Sequence, residues 1–375
     1  MTGPVPERWQ EAVHAFPAEC LDRFLLWAAD RGASDIAFQT GSPAFVEIDG
    51  SLAQATDARL DGPVMGRLCE RLHDATAEGI LRSGRAIDCS HAVRRGRGEQ
   101  QRFRCNLAPV QGEAGFAVNI TLRVLPGRPP GFDELGIEDE IVRAWDLCKG
   151  LVLVTGVPGS GKSTLLAAGT RRLLERGAGR IQSYEAPIEY VFDGIAAEGA
   201  LMSSAEIPRH FPSFADGLRS SLRRRPTAVV VGEARDRETV EAVVRAADYG
   251  IAVFSTTHTI GVAATVRRML AEFPADERAE RGAALIDAMT MVVTQVLLPN
   301  PAGGRTALRE WLVFDAVLKA ALLECPQASW PARIGAALAA TGNDLAAAAD
   351  RALHQQRIGE DSHRRILVGS EGSDP

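Results

Sequence analysis

Residues 151–163 read LVLVTGVPGSGKS, a strand-sized apolar run that breaks into a glycine-rich turn ending in Lys-Ser. The spacing fits G-x-x-x-x-G-K-[ST], and the residues from Lys162 to Leu174 continue with a helical pattern. Glycines let the backbone curl until successive N–H groups converge on phosphate oxygens, and the helix N-terminus adds a favourable dipole. Gly156, Pro158, Gly159, Ser160, Gly161, Lys162, Ser163 and Thr164 are therefore the candidate phosphate-binding residues. Lys162 is expected to reach the β- and γ-phosphates, and the Ser163 hydroxyl to ligate Mg²⁺. The motif predicts a nucleoside triphosphate site.

Further apolar runs at residues 180–184, 228–231 and 252–256 alternate with helical segments. Strands with so little polar alternation indicate a parallel sheet covered on both faces. Ligands bind at the C-terminal edge of such sheets, and chemistry-bearing residues fall there. Glu233, in GEARD, is either a solvated loop acid or a group that holds the magnesium shell or orients water. Glu185, at the end of another strand, is placed to polarise an attacking water. Glu189 reads as a surface acid. His258, in TTHT, points to the same edge and is either structural or a γ-phosphate contact. Arg219, Arg223, Arg224 and Arg225 read as a solvated helix face, and strand arginines such as Arg102, Arg104 and Arg123 ordinarily face solvent. None of the four asparagines begins the N-K-x-D pattern expected of a GTPase, which favours ATP.

The first 125 residues follow a different rhythm. Leu21, Phe24, Leu25 and Ala28 recur at helical spacing, with Gly32 suited to the helix end. Residues 36–38 and 45–48 read as short strands closed by an Asp49-Gly50 turn. A helix from about Pro63 to Leu81 precedes strands at 101–107 and 116–123, predicting a compact α+β domain. LPGRPPG, from Leu125, cannot continue either regular structure and marks a linker over 126–135. A second domain then spans 136–320. The Ala-rich stretch of 321–375 is expected to be helical, and 369–375 frayed. The 42 basic and 48 acidic side chains leave a formal charge of −6, which argues against a protein that mainly coats nucleic acid. No apolar run approaches a bilayer-crossing length, and MTGPVPERWQ has no signal-peptide pattern. Six scattered cysteines without a C-x-x-C pair suggest reduced thiols in a cytoplasmic protein, with no zinc site.

In order along the chain stand GASDIAF, FVEIDGSL, RFRCN, GVPGSGKST, YEAPIEY, LRSSLRRRPTAVVVGEARD and STTHTIGVAATVRRM. Together they resemble the type II/type IV secretion and pilus ATPase family, over almost the whole chain. The resemblance implies an α/β fold: a RecA-like P-loop NTPase domain preceded by a smaller PAS-like α+β domain. It implies a homo-hexamer that uses ATP and Mg²⁺ and docks on inner-membrane secretion-system proteins. By the same resemblance, Glu185 and Glu233 are the catalytic and Walker B glutamates and His258 senses the γ-phosphate. Arg104 and Arg123 match first-domain arginines that reach a nucleotide in a neighbouring subunit, with the Pro-Gly linker as the place for domain motion.

Two departures narrow the expectation. Ala186 stands where a second acid usually follows Glu185, and beyond WLVF the chain reads AVLK at 316–319 in place of the AIRN-type segment of retraction members. The four-cysteine metal insert of type II members is also absent. What remains resembles the DotB/TraJ branch of type IVB secretion and conjugal-transfer ATPases. A pilus motor, a nucleic-acid translocase and a small-molecule P-loop kinase are the alternatives.

Overall fold

The computed structural model describes residues 8–10, 16–48, 50–96, 99–113 and 115–371. Two compact units emerge: Met1–Arg128 with Pro187–Gly194, and Pro129–Ala186 with Ile195–Pro375.

In the first unit, β1 (Asp35–Gln39), β2 (Phe45–Ile48), β3 (Ser51–Gln54), β4 (Ile87–Gly96), β5 (Glu99–Gly112) and β6 (Gly115–Leu125) form one antiparallel sheet in the order β3-β2-β1-β6-β5-β4. Gly50 forms the turn between β2 and β3, while Asp49 lies outside the described residues. The apolar stripe of α1 (Leu21–Asp30) is fully buried. Phe16, Phe24 and Phe38 meet there at centroid distances of 5.4–5.6 Å, edge-on or tilted. Burying side chains of this size contributes about 1.5–3 kcal/mol each.

The helix expected over 63–81 is two helices, α2 (Gly62–Leu72) and α3 (Ala77–Arg82). Between them the Asp74 carboxylate accepts from the Thr76 N–H at 2.7 Å and from its hydroxyl at 2.5 Å, a local turn that competes with the helix ladder. Strand β4 was not anticipated from the sequence, and Arg102 is buried instead of facing solvent.

The second unit runs α4 (Asp139–Asp146), β7 (Leu151–Thr155), α5 (Lys162–Glu175), β8 (Gly179–Glu185), β9 (Ala200–Glu206), α6 (Phe214–Ser221), β10 (Ala228–Val231), α7 (Arg237–Asp248), β11 (Ala252–Thr257), α8 (Val262–Ala271), α9 (Arg278–Ala288), β12 (Met289–Pro299) and β13 (Arg305–Val313). Helices α10 (Ala316–Leu323), α11 (Trp330–Thr341), α12 (Leu345–His354) and α13 (Glu360–Glu371) follow. The sheet order is β13-β12-β7-β11-β10-β8-β9, parallel throughout except for β13. Every residue of β7, β10 and β11 is buried, as a sheet covered on both faces requires. Phe254 of β11 stacks on Trp145 of α4 at 4.6 Å, whereas its neighbour Val253 joins the core on the opposite face. Strands β9, β12 and β13 were absent from the sequence expectation. The expected frayed tail is also corrected: α13 continues through Glu371, and 372–375 lie outside the described residues.

Among the described residues, no helix is long and apolar enough to cross a membrane. Burial pushes the thiols of Cys69 and Cys148 up to about 11, far from the thiolate form that reactive chemistry needs.

Candidate phosphate-binding site

Strand β7 ends at Thr155 and α5 begins at Lys162, so six residues make the turn between them. Gly156 sits at φ 142°, and a Cβ there would lie 2.3 Å from the Gln295 carbonyl. Gly161 sits at φ 85°, where a Cβ would lie 2.7 Å from Gln295 Nε2. Both positions therefore exclude any side chain, for backbone and for packing reasons. Pro158 has no N–H to donate, so it shapes the turn without serving as a phosphate donor. Lys162 is buried, and its Nζ donates to the carbonyls of Gly156 at 2.7 Å and Val157 at 2.9 Å. Ser163 and Thr164 are half-buried in the first turn of α5. The Oγ of Ser160 is buried with no hydrogen-bond partner among the described residues, and Gly159 borders open space. A curled loop with an orphaned donor, open space beside it and a cation at a helix N-terminus fits a polyphosphate.

The parallel strands deliver Thr155, Glu185, Glu233 and His258 to one edge of the sheet. The turn carrying Glu233 is pinned on both sides: Gly232 N–H donates to Tyr184 O at 2.7 Å, and Ala234 N–H to Thr256 O at 2.9 Å. Between these pins Glu233 reaches His258, with Oε1 to Nε2 at 3.1 Å. The other imidazole nitrogen, Nδ1, lies 3.4 Å from Lys162 Nζ. An ammonium only donates, so Nδ1 accepts and the ring proton sits on Nε2, facing the carboxylate. Glu233, His258 and Lys162 thus form one continuous polar chain, and Arg235 lies 3.7 Å from Glu233 on its outer side. Glu185 is half-buried at the end of β8, level with the buried Glu206 of β9. Ala186 follows it and is exposed.

Two rungs of the β12–β13 pair hold the loops of this edge, and neither was legible in the sequence. In the first, Gln295 Nε2 donates to Ser160 O at 2.7 Å, while its Oε1 accepts from Arg309 Nε at 2.8 Å. In the second, the Thr294 hydroxyl meets Thr155 Oγ1 at 2.8 Å and accepts from Gly261 N–H at 3.2 Å. Across from Thr294, Glu310 accepts from Val262 N–H at 2.8 Å and caps the start of α8. Burial raises the Glu310 carboxyl above its ordinary range, against the lowering effect of the N–H groups of Val262 and Leu345. Adjacent rungs face opposite sides of a sheet, so one serves the phosphate loop and the other the loop after His258. The detectable signal was a pair of apolar runs flanking NPAGG.

The remaining candidates lie elsewhere. Arg104 and Arg123 are cross-strand partners on β5 and β6 of the first unit, both exposed, and Arg123 Nε contacts Asp35 at 3.0 Å. Glu189, expected at the surface, is half-buried in the segment that groups with the first unit. Arg219 and Arg223–Arg225 are exposed; Arg219 pairs with Asp216 at 2.7 Å and Arg224 bonds the Tyr184 hydroxyl.

The family described as type II/IV secretion system protein matches residues 10–325. The type IV pilus retraction ATPase PilT of Pseudomonas aeruginosa is 32% identical over 293 residues, which are 78% of this chain and 82% of PilT. The crystal structure of the Legionella pneumophila ATPase DotB superimposes with a TM-score of 0.88 at 36% identity, covering 97% of this chain and 98% of that one. The pilus retraction motor PilT with bound ADP gives a TM-score of 0.80 at 28% identity over 92% of this chain and 96% of that one.

Proposed function

The chain belongs to the type II/IV secretion system protein family, and from that premise we propose that its ATPase activity drives a type IV secretion machine, of the IVB or conjugal kind, at the inner membrane. It is an ATPase of this family. The observation that carries the reading is the Glu233–His258–Lys162 chain across the mouth of the phosphate loop.

When ATP binds, its phosphates replace the carbonyls of Gly156 and Val157 as partners of Lys162 Nζ. The departing ammonium contact frees His258 Nδ1, so the state of the phosphate site is transmitted to His258 and through it to Glu233. Glu233 and Glu185 flank the sheet edge where a water would be oriented for attack. Among the described residues no group of three His, Cys, Asp or Glu side chains could hold a metal alone. A magnesium ion would therefore be held chiefly by the triphosphate and water, with Ser163 Oγ as protein ligand, and would supply neutralising charge. Arg104 and Arg123 are proposed to complete the site of a neighbouring subunit in a hexamer. The ring is proposed to lie in the cytoplasm and reach the membrane through partner proteins.

A type IV pilus motor is the second reading, favoured by the 32% identity to PilT. The arginines at 219–225 favour a nucleic-acid translocase less, since Arg219 and Arg224 are already engaged. Purified protein should hydrolyse ATP without any added acceptor, and Lys162→Ala should abolish turnover. Full turnover by Lys162→Ala would overturn the assignment, and a strict requirement for an acceptor would indicate a kinase.

A further inference from the structure

The phosphate loop is held in shape by a clamp that none of its own motif residues supplies. Gln295 of β12 spans two partners: its amide nitrogen donates to the Ser160 carbonyl, and its amide oxygen accepts from Arg309 of β13. Arg309 is 3% exposed and spends its other donors on the segment that opens the second unit. It reaches Glu138 Oε2 at 3.1 Å, Gly136 O at 3.2 Å and Leu135 O at 3.2 Å. Each group is thereby fixed by the next, and a buried polar network that is satisfied at every member is rigid. The close approach of Gln295 to Gly156 and Gly161 places this one residue against both ends of the turn.

The direction of the bond matters. Ser160 stands immediately before the Gly-Lys-Ser end of G-x-x-x-x-G-K-S, and its carbonyl must point away from the cradle for the following N–H groups to face into it. A donor beneath that carbonyl stabilises the inward-facing arrangement before any ligand arrives. Resting on the nucleotide-site reading above, we propose that Gln295 and Arg309 are positioning residues that preorganise the phosphate loop for nucleotide, with Arg309 locking the Gln295 amide in the required orientation. Gln295 touches no phosphate; it acts through the Ser160 carbonyl. Preorganisation lowers the cost of binding in the ground state and the transition state alike, so its loss appears in KM with little change in kcat.

Gln295→Glu separates this role from simple packing. The carboxylate has the same shape and keeps an acceptor for Arg309, but it replaces the donor to Ser160 O with an oxygen. With N-methylanthraniloyl-ADP as the probe, Gln295→Glu is expected to weaken binding roughly five- to tenfold, the worth of about one hydrogen bond. The KM for ATP should rise by a similar factor, kcat should change less than about twofold, and the thermal midpoint should fall by no more than about 4 °C, the cost of the lost bond. Arg309→Lys, which loses the planar fork, should move affinity in the same direction and serves as the test if Gln295→Glu does not fold. Unaltered protein that binds no ADP and hydrolyses no ATP would defeat the nucleotide reading itself. Unaltered protein that binds normally, with Gln295→Glu or Arg309→Lys binding equally tightly, would overturn the clamp alone.

Discussion

At the residue scale, His258 is the joint of the site. It is half-exposed, yet both ring nitrogens are used, one toward Glu233 and one toward Lys162. His258→Ala should lower kcat by roughly tenfold or more, as expected when a group that joins two charged partners is removed. Steady-state kinetics would check this, and an unchanged kcat would leave His258 a bystander. The motif spelled out Lys162 and Ser163 because phosphate binding demands particular residue types at fixed spacing. Glu233 and His258 were legible for a different reason: each follows a wholly buried strand, and parallel strands end together. Gln295 and Arg309 carried no such signal. Their task is to receive a backbone carbonyl and a neighbouring amide, which any sequence context can present.

At the scale of elements, the central parallel strands β7, β10 and β11 were readable because full burial removes polar alternation. Strands β12 and β13 were missed because polar residues interrupt them: Thr294 and Gln295 in one, Arg309 and Glu310 in the other. Those interruptions are the residues that hold the loops. The break between α2 and α3 was missed because it depends on the Asp74 side chain outcompeting one turn of helix. Helices α4 and α5 are joined by Asp146, which accepts from Arg172 at 2.7 Å and 2.6 Å and pairs with Arg176. Burial works to raise the Asp146 carboxyl, but the bonds from Arg172 and Arg176 outweigh it and hold it below its ordinary value. A depressed folded-state value means the contribution is present above the ordinary carboxylate range and is lost as pH falls through the depressed one. Asp146→Asn should therefore destabilise the protein by about 1–3 kcal/mol near neutral pH. The deficit should shrink on acidification toward about pH 3, as followed by unfolding curves across that range. A deficit independent of pH would mean that the carboxylate charge is not what joins the helices.

At the scale of the whole molecule, the first unit offers an exposed arginine pair on its antiparallel sheet, Arg104 beside Arg123. The second unit supplies a phosphate cradle and an acid–histidine chain within itself. A ring in which each copy lends its arginines to the next would join these two inventories into complete sites. Arg104→Ala alone should then bind nucleotide normally but lose on the order of 10³ in kcat, the worth of an arginine at phosphoryl-transfer charge. The most direct measurement mixes two inactive proteins, Lys162→Ala and Arg104→Ala, and follows ATP turnover after subunits exchange. The account predicts that turnover reappears well above either variant alone, because some junctions pair an intact cradle with an intact arginine. Turnover that never exceeds the sum of the two separate proteins, despite proven subunit exchange, would contradict it.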